Sequence, residues 1–368
     1  MKVFQVPMLA MSLVGLGLLS GLDAPPARAD FTFGKPVNIQ SDFPFLNTAN
    51  EWIKCFSADG LEVYFESWGG RPGGCGKVDL WVCKRASVED DWGAPENLGP
   101  LVNSSEADMD ASISADGLEL YFHSGRPGGH GQNDLYVTRR ATRTSPWEAA
   151  TNLGPPVNSL ESEFFPAVSP DGLELYFESD RADGYGSYDF YVSTRATPND
   201  SWGDPVNVGP AVNSPAMDAW ASLSPDGLLM VFGSDRPGGF GPWGDGYVAR
   251  RASRSAPWQP AVNLGPIINA TPWNAPKVSA DGSALYIICD PNDTMTYWTY
   301  KAPILPIVDF NADGKVDLDD LRLLIDNWGT DKTICDIGPF AWGDGVVDIE
   351  DLKVFITEWE KQNPPAQP

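Results

Sequence analysis

The stretch Glu161–Asp180, ESEFFPAVSPDGLELYFESD, with its continuation at Ser201–Val208, SWGDPVNV, decides the fold. Most of the chain from residue 31 to 303 is this stretch written again. Its marker dipeptide Asp-Gly recurs at Asp59-Gly60, Asp116-Gly117, Asp171-Gly172, Asp226-Gly227 and Asp281-Gly282, at spacings of 57, 55, 55 and 55 residues. A fixed period of this length marks a propeller or a solenoid, in which each repeat is one supersecondary unit.

Within the central repeat the pattern predicts four strands: Glu163 to Ser169, Leu173 to Ser179, Tyr188 to Arg195, and Trp202 to Val208. Turns separate them at Pro170-Asp171-Gly172, Arg181 to Ser187 and Pro198-Asn199-Asp200. Leu173, Leu175 and Phe177 share one face and Tyr176 takes the other. Apolar residues on both faces suit a sheet packed between two neighbours, as in a propeller blade. Gly and Pro recur too often for helices.

The first three strands occur five times. The fourth begins at Trp92, Trp147, Trp202 and Trp258, each followed five residues later by Asn97, Asn152, Asn207 or Asn263. A fifth copy, Phe33-Gly34-Lys35-Pro36-Val37-Asn38-Ile39, stands at the start of the repeat region, and the last repeat ends near Lys301 without a fourth strand. The expectation is an all-β five-bladed propeller over residues 30–303, closed by that early strand completing the last blade, which leaves no open sheet edge.

Ser169-Pro170-Asp171-Gly172, the Ser-Asp-Arg runs at 179–181 and 234–236, and Asp189-Phe190-Tyr191-Val192 resemble the WD40-like repeats of TolB-type propellers. The resemblance covers residues 31–303. It implies the propeller fold but no single activity, because relatives serve as protein-binding, envelope-associated and enzyme-appended modules. The long Gly-Pro-x-Val-Asn-Ser connection lengthens the unit beyond the TolB type.

Polar residues also repeat. Glu51, Asp108, Glu163 and Asp218 each stand eight residues before the Asp of Asp-Gly, with Trp273 in the fifth unit. Starting the innermost strands, they are expected to ring one channel mouth, either as a tentative site for a cation, glycan or protein ligand or as caps on backbone donors. Arg71, Arg126, Arg181 and Arg236 precede Asp79, Asp134, Asp189 and Asp245 and are expected to pair with them across the loops. The two histidines, His123 and His130, both lie in the second repeat, so a histidine triad or zinc site is not expected. The ring acids are near-copies, whereas a glycosidase needs an acid and a base in different environments. No catalytic residue is assigned on that ground.

A net charge of −25 over 368 residues excludes nucleic acid and anionic membranes as natural partners. Residues 1–29 read as a secretory signal: Lys2, an apolar run from Met8 to Leu19, and a cleavage pattern at Ala27-Arg28-Ala29. The run is too short to span a bilayer, and no other stretch would cross one after cleavage; the alternative is an uncleaved anchor. The expected location is extracellular or the bacterial cell envelope. Five cysteines are an odd number, none at a repeated position, and no bridge is assigned.

After a linker at 304–308 the composition changes. Asp309, Asn311, Asp313, Asp317 and Asp320 fall at positions one, three, five, nine and twelve of a calcium loop, with Gly314 at six and the Lys315 carbonyl at seven. A second copy supplies Asp344, Val346, Asp348 and Asp351, and Asp336 is placed to reach the ion from a lengthened loop. An amphipathic helix follows each loop. Two such units with Asp at position twelve resemble a dockerin module over residues 309–360, ahead of a disordered tail at 361–368. That resemblance implies calcium as cofactor, calcium-dependent folding and docking to a cohesin-like partner in extracellular polysaccharide degradation. Leu318-Asp319 and Ile349-Glu350 replace the Ser/Thr pair of cellulosomal dockerins. The combined expectation is a secreted, non-catalytic binding or assembly protein; the alternative is a glycoside hydrolase with its site in the channel.

Overall fold

The computed structural model describes residues 31–46, 51–69, 71–240, 244–270, 275–289, 298–311, 313–331 and 335–362. The leader, Trp273 and the tail beyond 362 lie outside them. Five antiparallel sheets form five blades. In the central blade Glu163–Val168 pairs with Glu174–Ser179, that strand with Asp189–Thr194, and the last with Val206–Asn207. Leu175, Tyr176 and Phe177 are all buried, although they alternate between faces, because each blade is covered by a neighbour on both sides. The innermost strands stand side by side around the axis, from Glu51–Phe56 through Asp108–Ile113, Glu163–Val168 and Asp218–Leu223 to Ala275–Val278.

The ring closes as expected and further. Val37–Asn38 is the fourth strand of the last blade, pairing with Tyr300 and Lys301. Phe31–Phe33 pairs with the same strand at Ile304 to Pro306. That strand, Trp298–Pro306, therefore runs past residue 303 and takes in residues 304–306 of the expected linker. Phe56 stacks on Tyr286 at 4.7 Å across the closing seam.

The fourth strands are shorter than the sequence predicts, two residues each. Trp202 leaves the ladder to lie under a guanidinium, with Arg195 Cζ 4.2 Å from its ring; Trp147 and Trp258 do the same for Arg140 and Arg251 at 4.4 and 4.5 Å. Each arginine then reaches the preceding blade: Arg140 to Glu62, Arg195 to Glu119 and Arg251 to Glu174, at 2.6–2.8 Å. The lengthened connection has its own use. Asn103 Oδ1 accepts the Leu80 N–H and its Nδ2 donates to the Leu80 carbonyl, so one side chain continues the ladder, and Asn158, Asn213 and Asn269 repeat this.

Two helices, α1 (Leu318–Asp326) and α2 (Ile349–Gln362), pack around Val308, Phe310, Leu324, Ile337, Val347 and Phe355. This small unit docks on the propeller. Trp342 is 2% exposed, stacks on Phe340, meets Phe31 edge-on, and donates its indole N–H to Asp226 at 2.7 Å. Among the described residues, no helix is long and apolar enough to cross a membrane.

Candidate functional site

The repeated acids are placed away from the channel. Glu51, Asp108, Glu163 and Asp218 are at most 4% exposed. Each is held by the arginine of its own blade: Arg71, Arg126, Arg181 and Arg236, at 2.5–2.8 Å. Those arginines also donate to the carbonyls of Phe45, Val102, Val157 and Val212. Ser159 N–H donates to Glu163 at 3.0 Å, and Ser104 and Ser214 repeat the contact. None of the four acids lines the channel cavities. Of the two readings of these acids, caps on backbone donors describes Asp108, Glu163 and Asp218. One expectation is corrected: the arginines pair with these acids, as clamps within each blade, rather than with Asp79, Asp134, Asp189 and Asp245. Those four aspartates instead accept loop N–H groups and the side chains of Asn97, Asn152, Asn207 and Asn263. Trp273, the fifth member, lies outside the described residues.

The chemistry sits two to four residues further along the inner strands. The ladder slips there in the first four blades, between Ile53 and Cys55, Met109 and Ser112, Phe164 and Ala167, and Ala219 and Ser222. At three of these bulges a non-glycine residue takes a left-handed backbone: Asp110 (φ +59°), Phe165 (+46°) and Trp220 (+66°). Such conformations persist only where surrounding structure enforces them, and they collect at functional sites. Two of the supports come from the neighbouring blade's second strand. Glu66 accepts the Asp110 N–H at 3.2 Å, and Glu178 accepts the Trp220 N–H.

These bulges aim their side chains into a cavity of about 270 Å³. Trp52, Trp68, Phe165 and Trp220 supply aromatic wall, and Lys54, Asp110 and Lys277 are its charged groups. Lys54 Nζ lies 2.7 Å from Asp110, 3.1 Å from Glu66 and 4.9 Å from the centre of the Trp52 ring. His123 Nδ1 lies 3.1 Å from Asp110 Oδ2, an ion-pair distance without hydrogen-bond alignment, and its ring meets Phe164 edge-on at 5.0 Å. Lys54 and Lys277 also line a second cavity of about 180 Å³ that continues the channel.

The titrating groups diverge. Burial would raise the Asp110 carboxyl, but Lys54 and His123 pull it down to about 2. Burial lifts Glu66, and lifts Glu178 well above the carboxylate range. Burial works against the Lys54 charge, yet Asp110 and Glu66 hold its ammonium above the usual range. Burial and then the Lys54 charge bring Lys277 down to about 8.

In the C-terminal unit the two loops share one geometry. Asp309 accepts the N–H groups of Asp313 and Gly314 at 3.1 and 2.9 Å; Asp336 accepts those of Asp344 and Gly345, both at 2.8 Å. Asp320 accepts from Phe310, Asn311 and Asp317, and Asp351 from Ile337, Gly338 and Asp348. Asp336 thus stands where Asp309 does, with four extra residues ahead of Asp344, and these include Phe340 and Trp342. Asp317 and Asp348 accept the N–H groups of Asp319 and Glu350 at the helix starts. Gly314 (φ +85°) makes the sharp turn, and Lys315 and Val346 hold the seventh positions. Among the described residues, no three carboxylate, histidine or cysteine side chains gather as a metal cluster. Both oxygens of Asp320 and of Asp351 face main-chain N–H groups.

No family model matches the chain, and no curated protein matches it. Solved structures do resemble it. TolB from Acinetobacter baumannii is 14% identical with a TM-score of 0.43, over 69% of this chain and 54% of that one; the chain thus spans about half of its length. A putative TolB from Agrobacterium tumefaciens is 15% identical (TM-score 0.38; 75% and 100% covered). An α-L-arabinofuranosidase from Podospora anserina in complex with cellotriose is 12% identical (TM-score 0.41; 76% and 92% covered).

Proposed function

We propose that this chain is a secreted, non-catalytic β-propeller that seats the end of a glycan in its channel, joined to a dockerin-like unit for calcium-dependent assembly. The observation that carries the reading is the cavity itself. Four aromatic rings wall a space near the small end of ligand pockets, and Asp110 is the one carboxylate among its lining residues, already bonded to Lys54. Glycoside hydrolysis needs two carboxylates flanking the scissile bond. Here Glu66 and Glu178 lie behind the wall and hold main-chain N–H groups. The leader pattern at 1–29 supports export, and the duplicated Asp–Gly loops support the calcium unit with its cohesin-like partner. Quenching of the pocket tryptophans by soluble oligosaccharides tests the reading; a response lost in Trp52→Ala and Trp220→Ala is expected.

One observation favours the enzymatic reading. Lys54 and His123 draw the Asp110 carboxyl down while burial pushes the Glu178 carboxyl up, a divergence of the kind that assigns base and acid in hydrolases. Glycosidase screening of the wild type, Asp110→Asn and Glu178→Gln separates the two. Turnover abolished in both variants would replace the non-catalytic reading.

A further inference from the structure

Lys277 is the charged group lining the channel that has no ion-pair partner among the described residues; Asp110 and Glu178 act on it only through space. Lys54 has two carboxylates, and Asp110 has Lys54 and His123. Lys277 has only the Ala221 carbonyl, at 3.3 Å, among the described residues. An ammonium carries three donors, and Lys277, which borders the cavity space, has one of them answered by that carbonyl. Burying a cation with so little compensation is costly. An apolar residue would fill the same position at lower cost, as Ala167 does in the equivalent place of the third blade. The tryptophans beside it offer flat apolar faces of the kind that cover one face of a ring.

Resting on the pocket reading above, we infer that the channel selects an acidic sugar terminus: a pyranose ring on the tryptophan wall, its carboxylate bound by the Lys277 ammonium. Asp110 is not available to the anion and would repel it, but its charge is taken up by Lys54. Phe165 and Trp220, fixed by their left-handed backbones, close the space so that one ring enters rather than a long chain. The molecule's high negative charge opposes binding of a polyanion, which narrows the ligand to a single terminal acid on an otherwise neutral chain.

The test compares cellobiouronic acid with its neutral counterpart cellobiose by calorimetry on the full chain at pH 7. The expected result is at least tenfold tighter binding of the acid, with the preference gone in Lys277→Met while cellobiose binding is unchanged. Lys277→Arg should keep much of the preference and guards against a folding defect in the methionine variant. Raising the pH through about 8 should also erode the preference as Lys277 loses its proton. Equal binding of both sugars by the wild type would overturn the acidic-sugar inference and leave the pocket reading standing. Binding of neither would overturn both.

Discussion

Asp110 joins a backbone strain to a buried charge, and the two can be separated. Asn tolerates a left-handed backbone nearly as well as Asp, so Asp110→Asn keeps the bulge and removes the charge. Lys54 would then retain only Glu66. Removing one partner from a buried pair costs about 3 kcal/mol or more, and chemical denaturation at pH 7 should show a loss of that order. The wild-type contribution is present above the ordinary aspartate range and fades as pH falls toward about 2, so the variant and the parent should converge in acid. Glu178 runs the other way. Its folded form holds a proton more tightly than the unfolded chain does, so stability falls as pH rises from the ordinary carboxylate range through the raised value. Glu178→Gln still accepts the Trp220 N–H and does not titrate. It should match the parent near pH 4 and exceed it at pH 8, each tenfold change in proton affinity being worth about 1.4 kcal/mol. Melting curves at the two pH values decide this; a gain confined to pH 4 would refute it.

At the scale of elements, the strand that completes the last blade is the sharpest case. Beside it along the same partner strand, Phe31 and Phe33 pair with Ile304 to Pro306, are buried and touch edge-on at 5.5 Å. Phe31→Ala should cost about 3–5 kcal/mol. It should lower a single melting transition, because a ring missing its closure loses every blade together; two transitions would mean that the last blade melts alone. The two Asp–Gly loops of the C-terminal unit make a separate prediction. Asp309, Asp313 and Asp317 bring like charges into one loop, so an ion should order α1. Isothermal titration should show heat with calcium that disappears in Asp313→Ala, and an unchanged titration would count against the dockerin-like reading. The sequence made the blades legible because residues that build a blade must recur. The same logic hid the pocket. Ile53, Asp110, Phe165, Trp220 and Ala275 occupy one repeat position, and Glu66, His123, Glu178, Gly233 and Ile288 another. Apart from the glutamate shared by Glu66 and Glu178, nothing recurs at these positions, so a search for shared residues passes over them and settles on the clamps. The signal was the reverse one: polar and aromatic side chains at inner-strand positions where the five copies disagree.

For the whole molecule, the C-terminal unit is braced rather than tethered. Its second loop carries the insertion with Phe340 and Trp342, and Gly282 has no side chain where those rings lie: a Cβ there would stand 2.8 Å from Phe340. Trp342→Ala should cost about 3–5 kcal/mol and free the unit, giving a protease cut between Pro306 and Asp309 that the parent resists. Resistance in the variant would show that the brace lies elsewhere.

The pairing of Phe31 with Pro306 also bears on how the molecule comes into being. Phe31–Phe33, the first strand of the described residues, has no partner until Trp298–Pro306 is made, so four blades must wait with a gap at the seam. Contacts this distant along the chain make folding slow, and the waiting intermediate presents two bare strand edges that invite pairing with another copy. A chain that is threaded outward before it folds would meet that hazard only at its destination, where the two ends of the ring arrive together.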